Sequence, residues 1–257
     1  MIEQPDPVPP PLRVAFVTGV SPDTWARRWR ERVPRVALDL VAVDEAGALA
    51  HDRSTTAEAL ALLDASDVEM ALVRLPLDRP DLHVVRLYEE VPVVVVPREH
   101  PVAAYDDIDV AELADEHLLQ PPEQVPEWSA VATEVAAGTR FPVPPMTTAD
   151  TMATIGAGTG IAILPMSLAR LHARKDVVAR PVHGVAPGEV GLVWPREASD
   201  ERTDYFLGIA RGRTANSSRS AVPGEPVARP EVTKKAPGKK AVGSRRHQRG
   251  PRRTRRR

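Results

Sequence analysis

Strand-like and helix-like segments alternate along the first third of the chain. Residues 12–17 (LRVAFV) and 68–73 (VEMALV) are apolar runs of strand length, and residues 36–43 (VALDLVAV) alternate as a half-buried strand does. Between these runs, residues 23–33 and 55–63 place apolar side chains at helical spacing. Because strands that alternate with helices form parallel sheets covered by helices, this order predicts an α/β fold.

The same kinds of segment continue to about residue 211, although prolines interrupt them. We predict further strands at residues 83–87, 91–96, 161–164, 177–182 and 190–194, and further helices at residues 107–114, 128–137, 148–157, 166–174 and 199–210. Pro92 is compatible with a strand only at its start or at a sheet edge. The segment GAGTG at residues 156–160 lacks the spacing of a phosphate-binding loop, so we interpret it as a helix end followed by a tight turn.

The near-zero net charge of −1 conceals a sharp division of charge along the chain. Residues 212–257 carry 15 Lys or Arg and two acidic residues, a charge of +13, so the rest of the chain is at −14. This basic segment has few large apolar side chains, which predicts a disordered tail. Nonspecific contact with nucleic-acid phosphates is one predicted role for it. The alternatives are a solvated tail and a tail that folds back on the acidic body.

The composition also restricts the chemistry. The chain has no cysteine, which excludes disulfides, thiolate-bound metals and cysteine nucleophiles and suits a reducing compartment. Residues 1–11 lack the basic start and apolar run of a signal peptide, and no apolar stretch approaches membrane-spanning length. We therefore predict a cytoplasmic protein without a membrane partner. G-x-S-x-G and H-E-x-x-H are absent and the seven histidines form no close ligand pair, so we predict no metal, no cofactor and no enzymatic activity. A hydrolase using two carboxylates is the enzymatic alternative.

Hydroxyl-bearing residues precede three predicted helices. In an open parallel sheet, ligands bind beyond the carboxyl ends of the strands, where helix N-termini present free backbone N–H groups. The residues in these places are Thr18, Gly19 and Ser21 after the first strand, Ser54 and Thr55 before the second helix, and Thr147 and Thr148 before a later one. Each hydroxyl residue has an alternative interpretation as a helix cap, and Ser21 or Asp23 is a candidate cap of the first helix.

Arg74 directly follows the apolar strand VEMALV. It is therefore placed to emerge at the carboxyl edge of the sheet and to bind a carboxylate through two hydrogen bonds. The alternative is an ion pair with Asp78, Asp81 or Glu69.

Four segments together resemble the substrate-binding domain of LysR-type transcriptional regulators. They are LRVAFV, EALALLDASDVEMALVRLP, EEVPVVVVPREHPVA and TMATIGAGTGIAILPMSLARL, and the resemblance extends from about residue 12 to residue 210. It implies a periplasmic-binding-protein-like fold, in which two α/β lobes are joined by two crossing strands and an effector binds in the interlobe cleft. The effector contacts it implies fall on the positions already singled out: Thr18, Gly19, Ser21, Ser54, Thr55, Arg74 and Thr147 or Thr148.

The resemblance also implies a division of the chain. Residues 1–11 are a disordered leader, residues 12–211 the substrate-binding domain and residues 212–257 the disordered basic tail. Lobe one comprises residues 12–92 and 166–211, lobe two residues 93–165, and the crossings fall near residues 93–97 and 163–165.

Family regulators carry an N-terminal helix-turn-helix, and the eleven leader residues leave no room for one. We therefore expect a cytoplasmic small-molecule sensor linked to transcriptional regulation, which binds a polar or anionic effector. Such a sensor acts either through a partner or through nucleic-acid contact by its tail. Domains of this kind often pair, so a homodimer is a further expectation.

Overall fold

The computed structural model describes residues 9–43 and 54–212. Within these residues the strands are β1 (Leu12–Val17), β2 (Leu38–Val43), β3 (Met70–Leu75), β4 (Leu82–Glu90), β5 (Pro92–Pro97), β6 (Ile108–Asp109), β7 (Ala162–Pro165), β8 (Val177–His183) and β9 (Gly188–Pro195). The α-helices are α1 (Asp23–Arg32), α2 (Ser54–Asp64), α3 (Pro126–Val131), α4 (Thr133–Ala136), α5 (Thr148–Gly156), α6 (Met166–Leu171) and α7 (Glu201–Ala210). The α/β class predicted from the alternation of segments is confirmed.

The first sheet has the strand order β2-β1-β3-β9-β4. Strand β1 runs parallel to β2 and β3, as the alternation with helices predicts, whereas β9 runs antiparallel to both β3 and β4. Helix α2 packs on β1 and β3, and α1 packs on α7. The fully buried Trp29 of α1 lies against Phe206 of α7, with ring centroids 5.9 Å apart. We refer to this sheet with its three helices as lobe one.

The second sheet has the order β6-β8-β5-β7. Strand β5 is antiparallel to both β7 and β8 and is buried along Val93–Val96, which explains its unbroken run of valines. Helices α5 and α6 pack on this sheet, and α3 and α4 complete the unit, which we call lobe two. Trp128 of α3 is fully buried and donates from Nε1 to the Leu113 carbonyl at 2.9 Å.

The crossings between the lobes differ from those predicted. The chain leaves lobe one between Glu90 and Pro92 and returns between β8 and β9, across residues 184–187. Residues 163–165 are not a crossing, because they belong to β7 and pair with β5. Residues 166–183 likewise lie with lobe two, since β8 pairs with β5 and α6 packs against β5, β7 and β8. Pro92 is the first residue of β5, a place that needs no backbone donor.

A few local predictions also differ. The helix predicted over residues 107–114 is instead the two-residue strand β6, followed by a short 3-10 helix at Val110–Leu113. Pairing of β6 with β8 outweighs the helical spacing of the apolar residues there.

No helix in the described part of the chain is long and apolar enough to cross a membrane. The predicted disorder of residues 1–8 and of residues 213–257 falls outside the described residues. Pro10 and Pro11, at the end of the predicted leader, accept hydrogen bonds from Arg202 through their carbonyls.

Candidate functional site

A buried ionic cluster lies where the two lobes meet. Arg74, near the end of β3, donates from Nε to Glu90 Oε2 at 2.8 Å and from Nη2 to Oε1 at 3.3 Å. Ser167, in the first turn of α6, donates its hydroxyl to the same Glu90 Oε1. The side chains of Arg74 and Glu90 are 13% and 3% exposed. Arg74 from lobe one and Ser167 from lobe two therefore both donate to the one buried carboxylate of Glu90.

The turn after β1 packs directly against this cluster. Gly19 has φ +86°, and a Cβ at this position would lie 2.7 Å from Leu168 Cδ2 and 3.1 Å from Arg74 Nη2. Both the backbone conformation and the close approach require glycine. Gly19 is one of the ligand contacts predicted from the sequence, and in the structure its neighbours are Leu168 of α6 and Arg74.

Two spaces adjoin the cluster. An open groove of about 450 Å³ lies between the β1–α1 turn and α6 and is lined by Thr18, Gly19, Ser21, Ser167, Arg170 and Leu171. A smaller cavity of about 210 Å³ includes Arg74 and Glu90 in its wall, and lobe two contributes Gln120, Gln124, Val125 and Ile163 to it. We call these spaces the groove and the inner cavity, and together the interlobe cleft.

Two glutamines give the inner cavity different polar groups. Gln120 is 1% exposed, and both ends of its amide bind the backbone of Ile163. Its Oε1 accepts from the Ile163 N–H at 2.9 Å, and its Nε2 donates to the Ile163 carbonyl at 3.1 Å. Gln124 carries a buried Oε1 that has no hydrogen-bond partner among the described residues. The amide of Gln120 is therefore used at both ends by the backbone, whereas Gln124 lines the cavity and carries a buried acceptor without a partner among those residues.

The described residues belong to a known family of domains. The family described as "LysR substrate binding domain" matches residues 8–215. The chain belongs to this family. It is a family of effector-binding domains of transcriptional regulators and not a family of enzymes.

Individual relatives agree with this assignment. The HTH-type transcriptional regulator ShiR of Corynebacterium glutamicum is 29% identical over 93 residues, which are 36% of this chain and 28% of ShiR. A hydrogen-peroxide-bound cysteine-to-serine mutant of OxyR from the same organism has a TM-score of 0.60 at 21% identity, covering 78% of this chain and 63% of that one. The effector-binding domain of BenM with benzoate has a TM-score of 0.55 at 17% identity, covering 81% and 96%. These structural similarities establish the periplasmic-binding-protein-like fold.

The predicted contacts after β1 lie at the groove of this LysR substrate-binding domain. Thr18 donates its hydroxyl to the Val43 carbonyl at 2.8 Å, which ties the turn to the end of β2. Ser21 is exposed and donates to Asp23 Oδ2 at 2.9 Å. The capping role considered for Ser21 or Asp23 is wrong, since α1 begins after Pro22 without a side-chain cap.

Among the described residues, the predicted contacts Thr55, Thr147 and Thr148 line neither the groove nor the inner cavity. Thr147 is the N-cap of α5, and its Oγ1 accepts from the Asp150 N–H at 3.1 Å, as the capping interpretation predicts. Thr148 and Thr55 are buried, at 0% and 3% exposure. Ser54 begins α2, and its side chain lies outside the described residues.

Arg74 is the predicted contact that reaches the cluster itself. Its carboxylate partner is Glu90 and none of the three acids considered from sequence. Sequence reasoning missed Glu90, Ser167, Gln120 and Gln124. Glu90 alone carried a signal, as an acidic residue directly before the first crossing.

The cluster also affects a neighbouring phenol. Burial raises the pKa of Tyr88 to about 12, the Glu90 carboxylate adds to this effect and Arg74 opposes it. Tyr88 lies against Trp25 of α1, with ring centroids 6.4 Å apart. The described residues contain no group of three or more His, Cys, Asp or Glu side chains that could hold a metal ion.

Proposed function

We propose that this LysR substrate-binding domain binds a small polar organic molecule in the interlobe cleft, as an effector of transcriptional regulation. The observation that carries the proposal is the Arg74–Glu90–Ser167 cluster, which places buried charge where the two lobes meet. A buried ion pair rarely stabilises a fold more than apolar side chains in its place would. Because this ion pair lies beside a cavity, a role in ligand recognition explains its presence there.

Contacts across the cleft supply a route from binding to conformation. Gly19, Arg74 and Glu90 belong to lobe one, whereas Ser167 and Leu168 belong to lobe two. A ligand that contacts both sides stabilises one relative position of the lobes over others, and the population shifts accordingly. A regulator that contains this domain would respond to such a shift.

The solved relatives support binding of a small molecule, but their ligands differ in chemical class. BenM is seen with benzoate and an OxyR mutant with hydrogen peroxide. This chain contains no cysteine, so we exclude a thiol-based peroxide response for it. Turnover of the ligand is not part of the proposal.

A thermal-shift screen of the full chain against small organic acids, amines, alcohols and amino acids tests the proposal. A ligand that binds only the folded state raises the melting temperature in a saturable way. Leu171→Glu places a charge in the groove, where Leu171 is 58% exposed. Val131→Glu is the matched control, because Val131 is exposed on α3 and lines neither space. Loss of the shift in the first variant alone places the ligand in the groove, whereas equal shifts in both variants would exclude the groove as its site.

Two macromolecular partners are also proposed, one from charge and one from family membership. The charge of +13 on residues 212–257 favours nonspecific contact with nucleic-acid phosphates. Membership of the family favours a homodimer, which light scattering of the full chain tests.

A further inference from the structure

We propose that the inner cavity selects a ligand with a hydrogen-bond-donating head, a protonated amine, in preference to a carboxylate. The inference rests on the proposed function, because it assumes that a small molecule enters the interlobe cleft. It concerns the charge of that molecule, which the fold and the family leave open.

The first step is that Arg74 already has a carboxylate partner. Its guanidinium donates twice to Glu90, and the pair is almost fully buried. An anionic ligand that took Arg74 from Glu90 would leave a buried carboxylate uncompensated, which is strongly unfavourable. Arg74 is therefore poorly suited to recognise an anion in this arrangement.

The wall of the inner cavity also contains two carboxylates and a buried acceptor without a partner in the described part of the chain. Gln124 Oε1 is buried without a partner among the described residues, and Gln120 is held by the Ile163 backbone. Glu189 also lines the cavity, and its side chain is 36% exposed and paired with Arg86 at 2.8 Å. An unsatisfied buried acceptor favours a ligand that donates to it. The excess of carboxylates over cations in the wall favours a positive charge on that donor.

The third step is size. The cavity of about 210 Å³ exceeds the roughly 150 Å³ of an engineered cavity that binds benzene. Its apolar wall includes the buried side chains of Val125, Ile163 and Leu164. One ring with a short aminoalkyl group fits this volume, with the ring against the apolar wall and the ammonium group at Gln124 and Glu90.

Calorimetric titration of the full chain at pH 7 with benzylamine, benzyl alcohol and benzoate tests the inference. The three probes share a ring and differ in the head group. We expect benzylamine to bind at least about tenfold more tightly than benzoate, with the alcohol between them.

Two matched variants locate the contact. Gln124→Met keeps the length of the side chain and removes the acceptor, and we expect it to weaken benzylamine by about tenfold. Glu123→Met is the control, because Glu123 is exposed and does not line the cavity. Circular dichroism of both variants confirms that they are folded.

Each outcome is decisive. Tighter binding of benzoate than of benzylamine would overturn the inference and leave the proposed function intact. Equal affinity of benzylamine for the wild type and for Gln124→Met would show that Gln124 does not contact the amine and would also overturn the inference. If none of the three probes binds, the inner cavity is not a site for such amines and the inference is wrong. The wider thermal-shift screen tests the proposed function separately.

Discussion

Arg74 and Glu90 are paired across a strand that separates them. Arg74 lies opposite Val190 of β9, Glu90 lies opposite Gly188 of the same strand, and the two side chains meet with Nε 2.8 Å from Oε2. The ion pair therefore joins β3 to β4 over β9, at the point where the chain leaves lobe one. A change in either residue affects both the end of the sheet and the wall of the inner cavity.

Removal of one partner of this pair is expected to destabilise the domain. Arg74→Met leaves the Glu90 carboxylate buried without its cation, at an expected cost of about 3–5 kcal/mol in the free energy of unfolding. The double variant Arg74→Met/Glu90→Met leaves no uncompensated charge and should be clearly more stable than the single variant. Urea unfolding of the four proteins in the cycle measures this. Strictly additive losses would show that the two residues do not stabilise each other.

Gly19 offers a test of the contact between the β1–α1 turn and α6. Gly19→Ala introduces a methyl group 2.7 Å from Leu168 Cδ2, in addition to the strain of φ +86°. Gly158→Ala is the matched control, since Gly158 has φ +87° and no atom within 4 Å of its Cβ position. Backbone strain should lower the free energy of unfolding of each variant by about 1–3 kcal/mol. Overpacking against Leu168 should lower that of Gly19→Ala by about 1–3 kcal/mol more. Equal losses by chemical denaturation would mean that α6 moves away freely.

Asp200 gives the free energy of unfolding a dependence on pH. Burial acts to raise the pKa of Asp200, but hydrogen bonds from the Thr203 N–H and from Arg202 outweigh this and lower the pKa below its usual range. A pKa lowered by folding stabilises the native state above the unfolded-state value of about 3.9, and this contribution disappears as the pH falls through the folded-state value.

Asp200→Ala removes the N-cap of α7 and should cost about 1 kcal/mol at pH 7. We expect the difference from the wild type to shrink below about pH 4, as the carboxylate of the unfolded state is protonated, and to be smallest once the pH has fallen through the lower folded-state pKa. Asp200→Asn keeps a capping oxygen without the charge and serves as the control. Thermal unfolding between pH 7 and pH 2.5 measures the difference, and a constant value over that range would contradict the assignment.

The basic segment is expected to determine any affinity for nucleic acid. Fluorescence anisotropy with a mixed-sequence DNA duplex should show binding by the full chain that weakens steeply with salt, with a log–log slope of about −0.9 for each phosphate contacted. Removal of residues 213–257 should abolish this binding, and replacement of the five arginines in residues 252–257 by serine should reduce the slope. A truncated chain that binds DNA with the full slope would assign the contact to the body.

The sequence by itself determined the elements that depend on local burial and local hydrogen bonds. The apolar runs at β1 and β3 identify strands because their side chains are buried on both faces of a central sheet. The placement of Pro92 at the start of β5 and of Thr147 at the N-cap of α5 depends on the nearest few residues, so both could be predicted.

The tertiary structure alone decided which distant groups meet. Strand β8 belongs to the second sheet because it pairs with β5, some eighty residues earlier, and no pattern within β8 encodes that choice. In the same way, Arg74 pairs with Glu90 rather than with the nearer Asp78 or Asp81, and Gln120 bonds to the backbone of Ile163. A local pattern reports whether a side chain is buried. Its partner is set by the packing of whole sheets and lobes, which fixes the interlobe cleft and its charge.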